Sequence, residues 1–144
     1  MLTIKRLSLE EAGILIEGAT RKAREIGVDQ VIAVCDESGR LIKFERMDGG
    51  KVTSISIAID KAFTGAGARR GTHVYNDLCQ PGKPTFGIHV SNDGHFSIIG
   101  GGLPVHVDGA IVGGIGVSSG TAEQDVVCAQ AALEHFYAVT GYAA

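Results

Sequence analysis

The sequence predicts an α+β fold, a five-stranded antiparallel sheet flanked by helices in the order α-β-β-α-β-β-β-α. Three observations carry that expectation. Ser8 with Glu11, and Thr121 with Gln124, form capping boxes that open helical stripes toward either end of the chain. Asp108-Gly109 stands between two apolar runs, and a two-residue turn with positive φ at both central positions favours that pair. The runs on either side of it, Leu103–Val107 and Ala110–Val117, read with a period of two.

The first helix is expected from about Leu9 to Ile26, because Ala12, Leu15, Ile16, Ala19, Ala23 and Ile26 share one stripe and Gly27 follows. Gln30–Cys35 and Leu41–Met47, separated by Asp36–Gly39, form a hairpin, with Ile42 and Phe44 on one face and Lys43 and Glu45 on the other. Asp48-Gly49-Gly50 ends it. A second helix spans about Thr53 to Ala68 and ends at Gly71, with Ile55, Ile59, Ala62, Phe63 and Ala66 as its expected core stripe. Its other line, Ser54, Ala58, Lys61, Gly65 and Ala68, is small apart from one cation.

No periodicity survives from Thr72 to Lys83, and a polar connection of that length reads as a lid, a binding loop or a subunit contact. Thr85–Val90 and His95–Ile99 flank Ser91-Asn92-Asp93-Gly94 as a further hairpin leading into the Gly100 stretch. Around Asp108-Gly109 the turn sets Val107 opposite Ala110, His106 opposite Ile111 and Val105 opposite Val112. Strict alternation then places Leu103, Val105, Val107, Val112, Gly114 and Gly116 on one face. Glycine weakens a strand, so Gly113, Gly114 and Gly116 imply a helix or a ligand packed close to the backbone there. The last helix carries Ala129, Leu133 and Phe136 inward, and Tyr142–Ala144 is expected to fray. The nearest architecture is a profilin-like or PAS-like sandwich, one domain over residues 1–144.

Composition narrows the function classes. With 144 residues the chain can bury a core without staples, and its net charge of −3 with no basic cluster beyond Arg69-Arg70 points away from nucleic acid. Three widely spaced cysteines with no C-x-x-C pair read as free thiols in a reducing compartment. No run approaches the length of a membrane span and the N-terminus lacks an apolar signal core, so a cytoplasmic location is expected.

The chemistry-bearing residues form no diagnostic constellation. The five histidines lack helical i, i+4 or strand H-x-H spacing, so no metal site is expected from a local motif. Cys79 near His73 and Asp77 is the one cluster that could supply a nucleophile and base. Gly100–Gly102 lacks the P-loop lysine, although its N–H groups could hold a carboxylate. Glu45, Arg46 and Asp48 make a charged rim in which the planar fork of Arg46 suits a carboxylate. A carboxylate could likewise be held by Lys61, with His73, Tyr75 or Glu45 moving protons.

Three ordered motifs add a resemblance. They are R-M-D-G-G with S-I-S-I-A-I-D-K-A (Arg46–Gly50, Ser54–Ala62), G-G-G-L-P-V (Gly100–Val105), and D-G-A-I-V-G-G-I-G-V-S-S-G with a later Q-D (Asp108–Gly120, Gln124-Asp125). Together they resemble the GlcG/HbpS family, a haem-binding-protein-like group that includes the C-terminal domain of PduO-type proteins. The resemblance implies a profilin-like fold, homo-oligomers, and haem or a related tetrapyrrole as the best-named ligand. Other members sit in catabolic gene clusters, which implies as the alternative an enzyme (hydrolase, dehalogenase, hydratase or tautomerase) acting on an oxo- or hydroxy-carboxylic acid. A structural or assembly subunit is the third reading. By position the family pattern marks Arg46, Asp48, Gly49, Lys61, Ala62, Gly101, Gly102, Pro104, Gly114, Gly116 and Asp125. Ser119 stands where the family usually repeats glycine. His73 lies outside the shared motifs, and its assignment as a haem-iron ligand rests on its place in the 72–83 connection.

Overall fold

The computed structural model describes residues 1–144. Helix α1 (Leu9–Ile26) begins where the capping box placed it: Ser8 Oγ accepts from Glu11 N, Glu11 accepts from Ser8 N, and Gly27 closes the helix at φ 72°. Strands β1 (Val31–Asp36) and β2 (Leu41–Arg46) follow, then α2 (Ser54–Ala68) and a short α3 (His73–Leu78). Strands β3 (Gly102–Val107) and β4 (Ala110–Ser118) lead into α4 (Ala122–Thr140), which opens on the Thr121/Gln124 box.

The sheet has four antiparallel strands in the order β2-β1-β4-β3, not five. No strand forms over residues 85–99, where a hairpin was expected. Phe86, Ile88 and Val90 alternate as a strand would, but Gly87 (φ 89°), Asn92 (φ 54°), Asp93 (φ 55°) and Gly94 (φ 79°) turn the backbone left-handed. The N–H groups of Ile88, Val90 and Ser91 then bond carbonyls three residues back, and none is left for a ladder. The 72–83 connection is also more ordered than expected, because α3 occupies half of it. Helix α2 ends on Arg69 in the left-handed conformation (φ 61°) before the chain reaches Gly71.

Helices α1 and α4 cover one face of the sheet. Ile32, Val34, Val105, Ile115 and Val117 meet Leu15, Ala19, Ala129, Ala132 and Phe136 there in the larger core. Helix α2 covers the other face over Val31, Ala33 and Cys35. It does so with its small line, Ser54, Ala58, Lys61 and Gly65, together with Ala62 and Ala66, while Ile55, Ile59 and Phe63 stay half-exposed. Of the expected core stripe, Ala62 and Ala66 are buried, whereas its large members Ile55, Ile59 and Phe63 are displaced by the small line. A Cβ on Gly116 would stand 2.0 Å from the Ala58 carbonyl oxygen, and one on Gly65 would stand 2.9 Å from the Leu103 backbone. Helix and strand thus touch backbone to backbone, an approach only small residues permit.

Two bulges complete the departure from strict alternation. One between Val105 and His106 pairs Val105 with Gly113 instead of Val112, and brings Ile115 and Val117 to the α1/α4 face alongside Val105, Val107 and Val112, leaving Gly114 and Gly116 against α2. A second, between Val34 and Cys35, sends Ile42 and Phe44 to opposite faces. The C-terminal residues are also tied down: Asp108 N–H donates to the Ala143 carbonyl at 2.8 Å and Tyr142 Oη donates to Glu11 at 2.9 Å.

The β1–β2 turn rests on a nearly buried carboxylate. Asp36 Oδ1 accepts from Ser38 N (2.9 Å), Ser38 Oγ (2.7 Å) and Arg40 N (3.1 Å), and Arg6 Nε lies 3.6 Å from Oδ2. Partial burial works to raise its pKa, but the Ser38 and Arg40 donors and the Arg6 charge outweigh that and hold it below the ordinary 3.8. A carboxylate depressed in the folded state stabilises fully above its unfolded value, and the gain disappears as pH falls through the lower folded one. Asp36→Asn is therefore expected to be less stable than wild type at neutral pH and to lose the acid limb of that difference below about pH 4, measured by urea unfolding across pH.

Candidate functional site

Several candidate residues divide between a buried ion pair and two open clefts. Lys61, on the sheet side of α2, and Asp125, in the first turn of α4, are 1% and 3% exposed at their side chains, with Lys61 Nζ 2.8 Å from Asp125 Oδ2. Nζ also donates to the Val117 carbonyl at 2.9 Å, and Asp125 Oδ1 accepts from Gly120 N at 3.0 Å. Burial pushes the Lys61 ammonium below its ordinary range, with Asp125 opposing the shift. The corner is closed by Gly101, at φ 126°, where a Cβ would stand 2.5 Å from the Val117 carbonyl oxygen and 3.0 Å from Nζ. A ligand has no route to this lysine.

Thr72 connects the buried corner to the surface. Its N–H donates to the Gly102 carbonyl (2.9 Å), its hydroxyl donates to the Ile99 carbonyl (2.5 Å), and its Oγ1 accepts from Gly102 N (2.9 Å). Those bonds pin the start of α3 to the start of β3, so His73 stands beside Gly100. Between α3 and the first turn of α4 opens a cleft of about 400 Å³, reached by His73, Asn76, Asp77, Gly100, Glu123 and Val126. His73 is exposed and its ring makes no hydrogen bond inside the chain; it lies over Gly71, where a Cβ would come within 2.3 Å of Cε1. The cleft therefore offers a free imidazole above the bare backbone of Gly100 and the Val126 side chain. Those residues would suit a flat, iron-bearing ring held through a histidine nitrogen. Asp77 and Glu123 add two carboxylates to its walls, which repel the acidic side of such a ligand.

The sequence profile described as haem degrading protein HbpS-like matches residues 7–134. The chain belongs to the HbpS-like family. Among its relatives, an uncharacterized 15.0 kDa protein from the dhaT-dhaS intergenic region of Citrobacter freundii is 40% identical over 92% of this chain and 94% of its own length. The crystal structure of Klebsiella pneumoniae ORFY superposes with a TM-score of 0.93 at 36% identity, covering 96% of this chain and 95% of that one. A second crystal structure, the PduOC:haem complex, superposes with a TM-score of 0.86 at 31% identity, covering 90% and 94%.

In this HbpS-like chain the residues singled out from sequence do not converge. Glu45, Arg46 and Asp48 line a separate polar cleft of about 460 Å³ with Thr20, Arg24 and Asp29. Tyr75 is buried edge-to-face on Phe96, ring centroids 4.8 Å apart, and its ring carries Arg70 at 5.9 Å. Pro104 is half-buried in β3 opposite Gly114, and Gly102 is buried against the Lys61 carbonyl. Cys79 turns from His73 and Asp77 to His89, its Sγ 3.2 Å from Nδ1. Of the expected ligand contacts, His73 and Gly100 line the cleft beside α4. Asn76, Glu123 and Val126 went unnoticed in the sequence; reading His73–Leu78 as a helix would have put His73, Asn76 and Asp77 on one face.

Proposed function

We propose that this HbpS-like protein binds haem, or a closely related tetrapyrrole, in the cleft between α3 and α4, where His73 would hold the iron. The observation that carries the reading is the uncommitted imidazole at the mouth of a cleft floored by Gly100 and Val126. The likeness to a protein crystallised with haem, and a family described by haem degradation, support it. Bound haem would supply a redox-active iron; the chain supplies the nitrogen that holds it and, through Thr72, the fixed position of that nitrogen. The protein acts in this reading as a homo-oligomer in the cytoplasm, with no nucleic-acid partner; no helix is long and apolar enough to cross a membrane.

A hemin titration read at the Soret band, with size exclusion alongside, tests it. Saturable one-to-one binding is expected, its Soret position changed and its affinity at least tenfold weaker in His73→Ala. Glu123→Gln, by removing a negative charge from the cleft, is expected to tighten binding about fivefold, since a surface charge interaction is worth on the order of 1 kcal/mol. Unsaturable uptake that is the same in wild type and His73→Ala would overturn the assignment.

A further inference from the structure

A different cleft, sharing no residue with the one beside α3, is assembled from three separate segments. The turn after β1 brings Gly39 and Arg40, α2 brings Ile59, Asp60 and Phe63, and the 92–95 turn brings His95; the space between them is about 380 Å³. The 92–95 turn is built at a cost. Asn92, Asp93 and Gly94 are consecutive left-handed residues, and two of them carry side chains, each worth on the order of 1 kcal/mol of strain.

What the strained turn delivers is His95, with Nδ1 2.8 Å from Asp60 Oδ1. One residue of α2 holds both ends of this arrangement. Thr64 Oγ1 donates to the Asp60 carbonyl at 2.8 Å and accepts from Ser97 N at 2.9 Å, fixing the chain just beyond the histidine. A carboxylate oxygen only accepts, so the imidazole keeps its hydrogen on Nδ1 and leaves a lone pair on Nε2. The histidine side chain is 62% exposed and that of Asp60 only 23%. Phe63 lies across Gly39, whose absent Cβ would stand 2.5 Å from the ring, and forms an apolar wall. Arg40 lines the same cleft with no carboxylate paired to its guanidinium, and Asp93 is the remaining charged group.

We propose that this cleft is a second, proton-transferring site for a small 2-oxo carboxylate. Arg40 pairs with the carboxylate, Phe63 packs against the carbon chain, and His95 is the general base. The bond broken is C–H at the carbon next to the carbonyl. Its proton goes to His95 Nε2, and its electron pair becomes the carbon–carbon double bond of an enolate whose negative charge sits on the former carbonyl oxygen. Return of a proton from the imidazolium to carbon completes the cycle with no oxidant or second reactant. Asp60 is the positioning residue: it fixes the tautomer and stabilises the imidazolium.

The test is exchange of the methyl hydrogens of pyruvate in D₂O, followed by proton NMR with the full-length protein. Saturable exchange at least tenfold faster than with an equal concentration of free imidazole is expected. His95→Gln should return the rate to background, with its melting curve showing the fold retained. Arg40→Gln should raise KM about tenfold with kcat little changed, and Asp93→Asn should lower KM. Asp60→Asn should reduce kcat and displace the pH profile, which a purely structural role would not do. Exchange no faster than with free imidazole, or a His95→Gln rate equal to wild type in a folded protein, overturns the proposal.

Discussion

Lys61→Ala is expected to cost about 3–5 kcal/mol of stability and to lower the thermal midpoint by roughly 10 °C. The ammonium is 1% exposed and the carboxylate it faces 3%, so removing the lysine leaves Asp125 charged, dry and answered only by the Gly120 N–H. The Val117 carbonyl loses a donor as well. A buried pair need not stabilise relative to apolar residues of the same size, so Lys61→Met combined with Asp125→Leu should regain more than half of the loss. Calorimetric melts of wild type and the two variants check this; a Lys61→Ala midpoint within 2 °C of wild type would show that water reaches the pair. The pH dependence has a definite sign. Because burial lowers the folded pKa below the ordinary 10.5, the unfolded chain binds more protons at Lys61 in the window just under that value. The contribution of this group to stability therefore rises with pH there, and Lys61→Met should lack the rise.

Gly116→Ala should be nearly as damaging. The added methyl would lie 2.0 Å from the Ala58 carbonyl oxygen and 2.5 Å from Ala62 N, both backbone atoms with no rotamer to retreat into. Helix α2 has to lift from the sheet, and overpacking of this kind costs about 3 kcal/mol or more. Gly114→Ala, at 2.5 Å from the Ala62 carbonyl oxygen and 2.9 Å from Ala66 N, should follow in the same direction with a smaller loss. Gly67, exposed in the same helix with nothing within 4 Å, provides the contrast: Gly67→Ala should stabilise by about 0.5–1 kcal/mol. Urea midpoints that failed to rank Gly67→Ala, wild type, Gly114→Ala and Gly116→Ala in falling order would contradict the backbone-to-backbone contact.

Local signals were the ones legible in the sequence. Ser8/Glu11 and Thr121/Gln124 satisfy their own N–H groups within one turn, so the starts of α1 and α4 could be read directly. Asp108-Gly109 needed only its own φ values of 51° and 76°. The bulges at Val105/His106 and Val34/Cys35 left no such mark, because an extra residue is absorbed wherever the partner strand allows it, and side chains beyond it change face. The burial of Lys61 depended on a carboxylate 64 positions away, and the small face of α2 became the inner one only because β4 presents Gly114 and Gly116 to it. For the cleft proposed to hold haem, His73 was visible as a residue type in a polar connection. Its neighbours on α4 were not, since Glu123 and Val126 read as ordinary members of a helix.

The strand order has a kinetic meaning. β1 with β2 and β3 with β4 are local hairpins that close over short turns, whereas the central β1–β4 ladder joins Val31 to Ser118 and Asp36 to Gly113. Folding therefore waits on one long-range encounter, and the transition state is expected to hold that ladder with α2 laid over it. The turns between Gln80 and Ile99 add length to the loop that must close without taking part in the encounter. Closure entropy grows only logarithmically, so doubling such a loop costs roughly 0.6 kcal/mol. That segment is where the chain can accept inserted sequence and still fold at close to its native rate.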